Sequence, residues 1–303
     1  MSEVFTSTIA NSLKRTLEDI VDDDMAGLRA KLRMPKFMDE GSMDDNYVDD
    51  LEMGGPGLAS EKAEGSEIAL GTIREGVLTR YQSRTFGLRL IITEEAMEDA
   101  KYPQAIKAAE RLNRSMWKTV DYDAANVLIR AFNPSFTIGD GLPLISTAHT
   151  LPNGGTFSNQ MATPMSPSRA ALQIARTQLA KYPDHDGTIG GRKPKCVVCP
   201  VDQEFAWKGV LGSERAPEPG AFNEVNVLVR DYDIDIVTNE YWSNTTTNWI
   251  VETDNDESLK WLWRRRPRGR SWVNNDNTVM LFAVTARWAR NCSDPRAVLG
   301  VAA

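Results

Sequence analysis

The stretch "GDGLPLISTAHTLPNGGTFSN" (Gly139–Asn159) holds one of the two histidines of the chain, His149, with Ser146 three positions before it and Asp140 upstream. These are the residue types of a hydrolytic triad, but a triad is defined by geometry. A serine nucleophile on a hydrolase sheet also sits on a strained glycine elbow, which Ser146 lacks. The Asp-Gly and Pro-Asn-Gly pairs are turn chemistry, and Leu142, Leu144 and Ile145 can anchor such a segment to a core. The stretch reads as a connector in which Asp140 and His149 are structural loop residues. A soluble serine hydrolase using Ser146 and His149 stays open as the enzyme alternative.

Upstream of the connector, Thr93 can cap a helix whose first turn carries Glu94 and Glu95, and Pro103 should kink or restart it. Ile106, Ala109, Leu112, Met116, Val120, Ala124, Val127 and Leu128 keep helical spacing to about Phe132. That makes a spine of about 30 residues, roughly 45 Å long. Before it, residues 66–93 alternate in polarity around a turn at Arg74–Gly76 and read as a long hairpin, part of which projects.

Residues 4–21 place Phe5, Ile9, Leu13 and Leu17 on one stripe of an otherwise polar helix, which needs a partner surface. The following residues, to "GGPG" at 54–57, are rich in acid, including Asp44, Asp45, Asp49 and Asp50. Residues 1–57 are therefore expected to form an arm that lies on something else.

Downstream, Ser166 with Pro167 is expected to start a helix reaching Tyr182. "PKCVVCP" reads as a buried strand, "DQEFAWKGVLG" as a helix and "EVNVLVRDYDIDIVTNEY" as two strands. "TNWIVET" reads as a further strand, with "SLKWLWRRR" and "TVMLFAVTARWAR" as two long ones. Helices and strands mix without regular alternation, so the class is α+β.

The chain has 35 Lys and Arg against 42 Asp and Glu, net −7, which excludes a global positive field for nucleic acid or anionic lipid. No basic leader follows Met1 and no apolar run approaches the roughly 20 residues of a membrane span, so a soluble chain with no membrane partner is expected. Three cysteines fit a reducing compartment. Cys196 and Cys199 stand three apart in a strand and point to opposite faces, so they read as buried small hydrophobes rather than a redox pair. No phosphate loop, dinucleotide fingerprint or metal motif is present, and no catalytic residue, cofactor or metal is assigned. The sequence "WLWRRRPRGRSW" (Trp261–Trp272) sets Arg264, Arg265, Arg266 and Arg268 among tryptophans, a composition also seen in single-strand binders. Pairing with carboxylates of the acid-rich arm is the favoured reading.

Four stretches together resemble the major capsid proteins of tailed double-stranded DNA bacteriophages, with the Hong Kong 97-like fold: "RTFGLRLIITEEAMED" (84–99), "YDAANVLIRAFN" (122–133), the connector (139–159) and "DPRAVLG" (294–300). The likeness spans about residues 65–300. It implies an N-terminal arm (1–57), an extended loop (58–90), a peripheral domain with the spine helix (91–165), an axial domain (166–257), a peripheral strand pair (258–290) and a C-terminal tail (291–303).

The resemblance implies self-assembly into the hexamers and pentamers of an icosahedral head that encloses DNA without reading its sequence, formed in the host cytoplasm. Phe5, Ile9, Leu13, Leu17, Asp44, Asp45, Asp49, Asp50, Arg264, Arg265, Arg266 and Arg268 become expected contacts between subunits, with the acidic arm meeting the arginine strand of a neighbour. His149 is expected to make a structural hydrogen bond within the loop or across a subunit boundary. A portal, a separate scaffolding protein or protease, and a decoration protein are implied as partners. Some relatives cross-link a lysine to an asparagine, for which Lys62 and Asn274 or Asn275 are the conceivable positions. An encapsulin-like compartment shell is the nearest alternative.

Overall fold

The long strands near the C-terminus carry tryptophans at alternate positions, and that alternation decides where the main core lies. The computed structural model describes residues 15–19, 21, 25–93, 102–212, 215, 225–242, 248–254, 259–274 and 279–301. In chain order come α1 (Met25–Arg29), β1 (Asp39–Ser42), β2 (Tyr47–Met53), β3 (Glu75–Gln82), β4 (Arg84–Ile92), the spine helix α2 (Tyr102–Ile129), β5 (His149–Thr150), β6 (Thr156–Phe157) and α3 (Arg169–Ala180). They are followed by β7 (Pro194–Pro200), α4 (Glu204–Leu211), α5 (Val227–Asp231), β8 (Asp235–Asn239), β9 (Trp249–Thr253), β10 (Leu259–Asn274), β11 (Val279–Cys292) and β12 (Val298–Val301).

The first sheet has the order β1-β10-β11-β4, with β1 parallel to β10 and the other pairs antiparallel. One of its faces carries Trp261, Trp263, Phe282, Val284 and Trp288, which pack with Met116, Trp117, Val120 and Leu128 of the spine helix. Trp288 stacks on Phe86 at 4.1 Å and on Trp261 at 5.3 Å between ring centres. Each fully buried large apolar side chain contributes on the order of 1.5–3 kcal/mol, so this layer anchors the long helix. Two register shifts, between Trp263 and Arg265 and between Arg265 and Arg268, accommodate Pro267 and bulge β10.

The second sheet, β12-β9-β7-β8, packs its other core against α3 and α4, through Leu172, Leu179, Trp207, Trp249 and Leu299. Cys196 belongs to the first core and Cys199 to the second, the alternation their spacing requires. The C-terminal β12 pairs with β9, so the "DPRAVLG" stretch closes this sheet.

Several expectations change. Leu17 is fully buried in the chain's own first core, and beside it Glu18 accepts hydrogen bonds from the backbone N–H and hydroxyl of Ser271. The residues flanking it, Glu18 and Val21, lie on Ser271 and Gly269 of β10 in the same chain. Phe5, Ile9 and Leu13 lie outside the described residues. The hairpin expected over 66–93 is not one unit. Residues 54–74 carry no strand, β3 pairs with the acidic β2, and β4 joins the first sheet. The apolar residues of the limb 66–73, Ile68, Leu70 and Ile73, stay exposed, whereas Tyr81 of β3 is buried with Met43 and Ala289 and draws β3 against the first sheet. Ser168, not Ser166, caps α3, accepting from the Ala171 N–H, because Pro167 precedes the cap instead of opening the helix. Val227–Asp231 is a short helix rather than a strand; it inserts Leu228 into the second core.

Candidate functional site

The connector is built around Asn159, which is fully buried. Its side chain accepts from the Ser146 N–H and donates to the carbonyls of Leu144 and Pro295, tying the loop to the C-terminal segment. The imidazole Nδ1 of His149 lies 2.6 Å from Asp140 Oδ2, with both side chains buried. Ser146 Oγ faces elsewhere and accepts from the Ala148 N–H. Among the described residues no hydrogen bond joins Ser146 to His149, and Nε2 of His149 is buried without a partner. A hydrolase needs that nitrogen on the serine and the serine open to substrate, so the loop does not assemble the dyad.

A second cluster sits at the base of residues 54–74. Arg296, 1% exposed, forms ion pairs with Glu52 and Asp294. His185 Nδ1 lies 2.7 Å from Glu52 Oε1 and 2.8 Å from Arg296 Nη2, so the imidazole serves one partner at a time, donating to Glu52 or accepting from Arg296. Burial alone raises the Glu52 pKa, but the His185 hydrogen bond and the charges of Arg296 and His185 outweigh it and hold the carboxyl below its ordinary range.

Three carboxylates of β1 and β2 are engaged inside the chain. Glu40 pairs with Arg29 and Arg266, Asp49 is gripped by Arg80, and Asp50 pairs with Lys260. Within one chain Asp49 faces Arg80 across the paired β2 and β3, Glu40 and Arg266 lie on the adjacent β1 and β10, and Asp50 reaches Lys260 of β10. Asp44 and Asp45 stay exposed in the turn between β1 and β2.

Register shows which arginines share a side of the first sheet. Arg265 stands opposite Arg287, Arg268 opposite Thr285, and Arg270 opposite Ala283, which in turn faces Arg89 of β4. Side chains of directly opposed residues lie on one face, so the bulges bring Arg265, Arg268 and Arg270 together on the side away from the tryptophans. Burial and then the charges of Arg270, Arg287 and Arg268 lower the Arg265 pKa. The sequence concealed this grouping, because simple alternation sends Arg265 and Arg268 to opposite faces. Sequence reading also missed a clamp between the spine helix and β11, where Asp123 accepts two hydrogen bonds from Arg290, at 2.6 and 2.7 Å, and one from Trp288 Nε1.

The profile of the phage capsid protein family matches residues 76–301. The chain belongs to the phage capsid protein family. No curated protein matches the chain. Among solved structures, the capsid of cyanophage P-SCSP1u is similar with a TM-score of 0.56 at 9% identity, covering 88% of this chain and 86% of that one. A Microbacterium phage Oxtober96 structure gives 0.54 at 8% identity, over 89% and 90%. The virus-like particle from Pyrococcus furiosus gives 0.52 at 10% identity, over 96% and 98%. At such identities the likeness establishes the fold, which is Hong Kong 97-like. This capsid protein is thus a structural shell protein, located in the virion capsid, and its connector and buried ion clusters hold the subunit's layers together.

Proposed function

We propose that this capsid protein builds an icosahedral head of hexamers and pentamers around double-stranded DNA without sequence-specific contact. The observation that carries this reading is the segment 54–74. It has no strand partner, and Leu58, Ile68, Leu70 and Ile73 are between 62% and 92% exposed. A monomer gains nothing by exposing these groups, whereas copies in a closed shell bury them against one another. The net acidity of the chain suits a wall that holds DNA loosely.

In this reading residues 1–57 are the N-terminal arm, 58–90 the extended loop, 91–165 and 258–290 the peripheral domain, 166–257 the axial domain and 291–303 the tail. The strands β1 and β2 fasten the end of the arm to the peripheral sheet. Phe5, Ile9 and Leu13 with Asp44, Asp45, Asp49, Asp50, Arg264, Arg265, Arg266 and Arg268 remain proposed subunit contacts. Assembly takes place in the host cytoplasm with a portal and a separate scaffolding protein or protease, and a decoration protein is a further partner.

An encapsulin-like compartment has the same shell requirements. The family match over 76–301 favours the phage head. Negative-stain microscopy and sedimentation of the full chain test the reading. Closed particles are expected, with nuclease-protected DNA rather than an enzyme inside those recovered from producing cells. A chain that stays monomeric at all concentrations and salts refutes it.

A further inference from the structure

Between the end of the spine helix and the start of β4 lies a cavity of about 480 Å³ that is rich in arginine although the chain is acidic. Its walls follow from register and period. Arg84 stands opposite Trp288 across β4 and β11, so both lie on the face that packs against the spine helix, as do Phe86 and Arg290, each two residues further along its strand. On the helix, Asp123, Asn126 and Arg130 recur at three- and four-residue spacing, and the Arg130 N–H still donates to the Asn126 carbonyl, so the three share a side of its last turns. Ser135 and Thr137 of the connector line the cavity from a third direction.

The cationic groups around this cavity are held in place but not neutralised. Asp123 is the one carboxylate among the described lining residues, and it takes Nε and Nη2 of Arg290 while Nη1 makes no bond. Arg130 lies 4.4 Å over the ring of Phe136, and neither it nor Arg84 makes an ion pair among the described residues. Arg80, also on the lining, is already gripped by Asp49. Among these groups Asn126 is 6% exposed, and its amide has no hydrogen-bond partner among the described residues. A buried amide without a partner and guanidinium groups that repel one another are both unfavourable, and a single anion relieves both.

We propose that this cavity binds a dianionic phosphate, as the free ion or as the monoester of a small molecule. The donors belong to β4, β11 and the spine helix, so they line one space from separate elements. That arrangement suits a tetrahedral anion with several acceptor oxygens, whereas a planar carboxylate is satisfied by one guanidinium fork. The volume lies within the range of small-ligand sites and leaves room for an organic part beside the phosphate. Bound there, the phosphate ties the root of β4 and the connector to the spine helix. The inference concerns the single subunit and stands independently of the shell reading.

The test compares the full chain in sodium phosphate and in sodium chloride of equal ionic strength, at about pH 7.5, where the phosphate is mostly dianionic. At about 10 mM phosphate the unfolding midpoint is expected to rise by about 3 °C over chloride. Arg84→Gln and Arg130→Gln are each expected to weaken phosphate binding, read by titration calorimetry, about tenfold. Arg84 is exposed, so that variant decides alone if Arg130→Gln does not fold. Adenosine monophosphate in a parallel arm separates the two sources: tighter binding than inorganic phosphate identifies an ester, weaker binding the free ion. Sodium glutamate is expected to give no rise. Phosphate that does no better than chloride overturns the proposal, and so does binding unchanged in both variants, which marks an adventitious ion only. Glutamate that matches phosphate assigns the cavity to carboxylates. A duplex oligonucleotide that binds through Arg84 while inorganic phosphate does not assigns it to nucleic acid, and either result also overturns the proposal.

Discussion

Asp140 holds the imidazole of His149 at 2.6 Å across a loop in which both side chains are buried. The bond spans nine residues and closes the loop locally, beside the link that Asn159 makes to Pro295. His149→Ala leaves Asp140 buried beside a void, which costs about 3 kcal/mol. Thermal unfolding of the unassembled chain checks it, and an unchanged midpoint removes the structural role. Ser146→Ala is expected to change stability by no more than about 1 kcal/mol, because only one hydrogen bond to the Ala148 N–H is lost.

Glu52 and Arg296 predict how the base of residues 54–74 responds to acid. The carboxyl of Glu52 is held below its ordinary range, so the stability it contributes is fully present above the unfolded-state pKa of about 4.3 and is lost as pH falls through the lower folded value. Glu52→Gln is expected to be less stable than wild type at pH 7, with the difference shrinking below about pH 4. Denaturant unfolding at a series of pH values measures it. A difference that is constant with pH contradicts the ion-pair account.

Two glycines in the stretches that carry the family likeness are set by packing. A Cβ on Gly300 falls 2.2 to 2.9 Å from three atoms of Ile145, and one on Gly139 falls 2.2 Å from Thr79 Oγ1 and 3.2 Å from the Leu78 carbonyl. Gly300→Ala is expected to cost about 1–3 kcal/mol, and Ile145→Val in the same chain to recover part of it. A double-mutant cycle on unfolding free energies is the measurement; additive effects exclude the proposed contact.

All three cysteines are buried thiols. Burial pushes Cys199 up to about 12 and raises Cys196 and Cys292 well above the ordinary range, Cys196 also through Glu252. At pH 8 the native chain is expected to leave a thiol reagent unreacted for hours and to release three equivalents on denaturation. Rapid native reaction of any one of them disproves its burial.

The clamp from Asp123 to Arg290 and Trp288 should hold the spine helix on the sheet. Arg290→Ala is expected to lower stability by about 2–3 kcal/mol, since a largely buried carboxylate loses its charged partner. Asp123→Asn should cost less, because its amide oxygen still accepts one bond. Chemical denaturation ranks the two, and the reverse order rejects the argument.

Local pattern alone specified much of this capsid protein. Helical spacing from Ile106 to Leu128 marked the spine, Asp-Gly and Asn-Gly marked the connector, and apolar alternation marked β10 and β11, because each signal is carried by residues within a turn or two of one another. Partners were another matter. The pairing of β2 with β3, the burial of Leu17 under its own sheet, and the bonds of Glu52 to Arg296 and Asp50 to Lys260 join positions with no short-range signal between them. The grouping of Arg265, Arg268 and Arg270 on one face depends on bulges that accommodate Pro267 and keep Trp261 and Trp263 in the core. Period is a property of the chain, whereas register and charge pairing are settled only when distant apolar faces compete for the same interior.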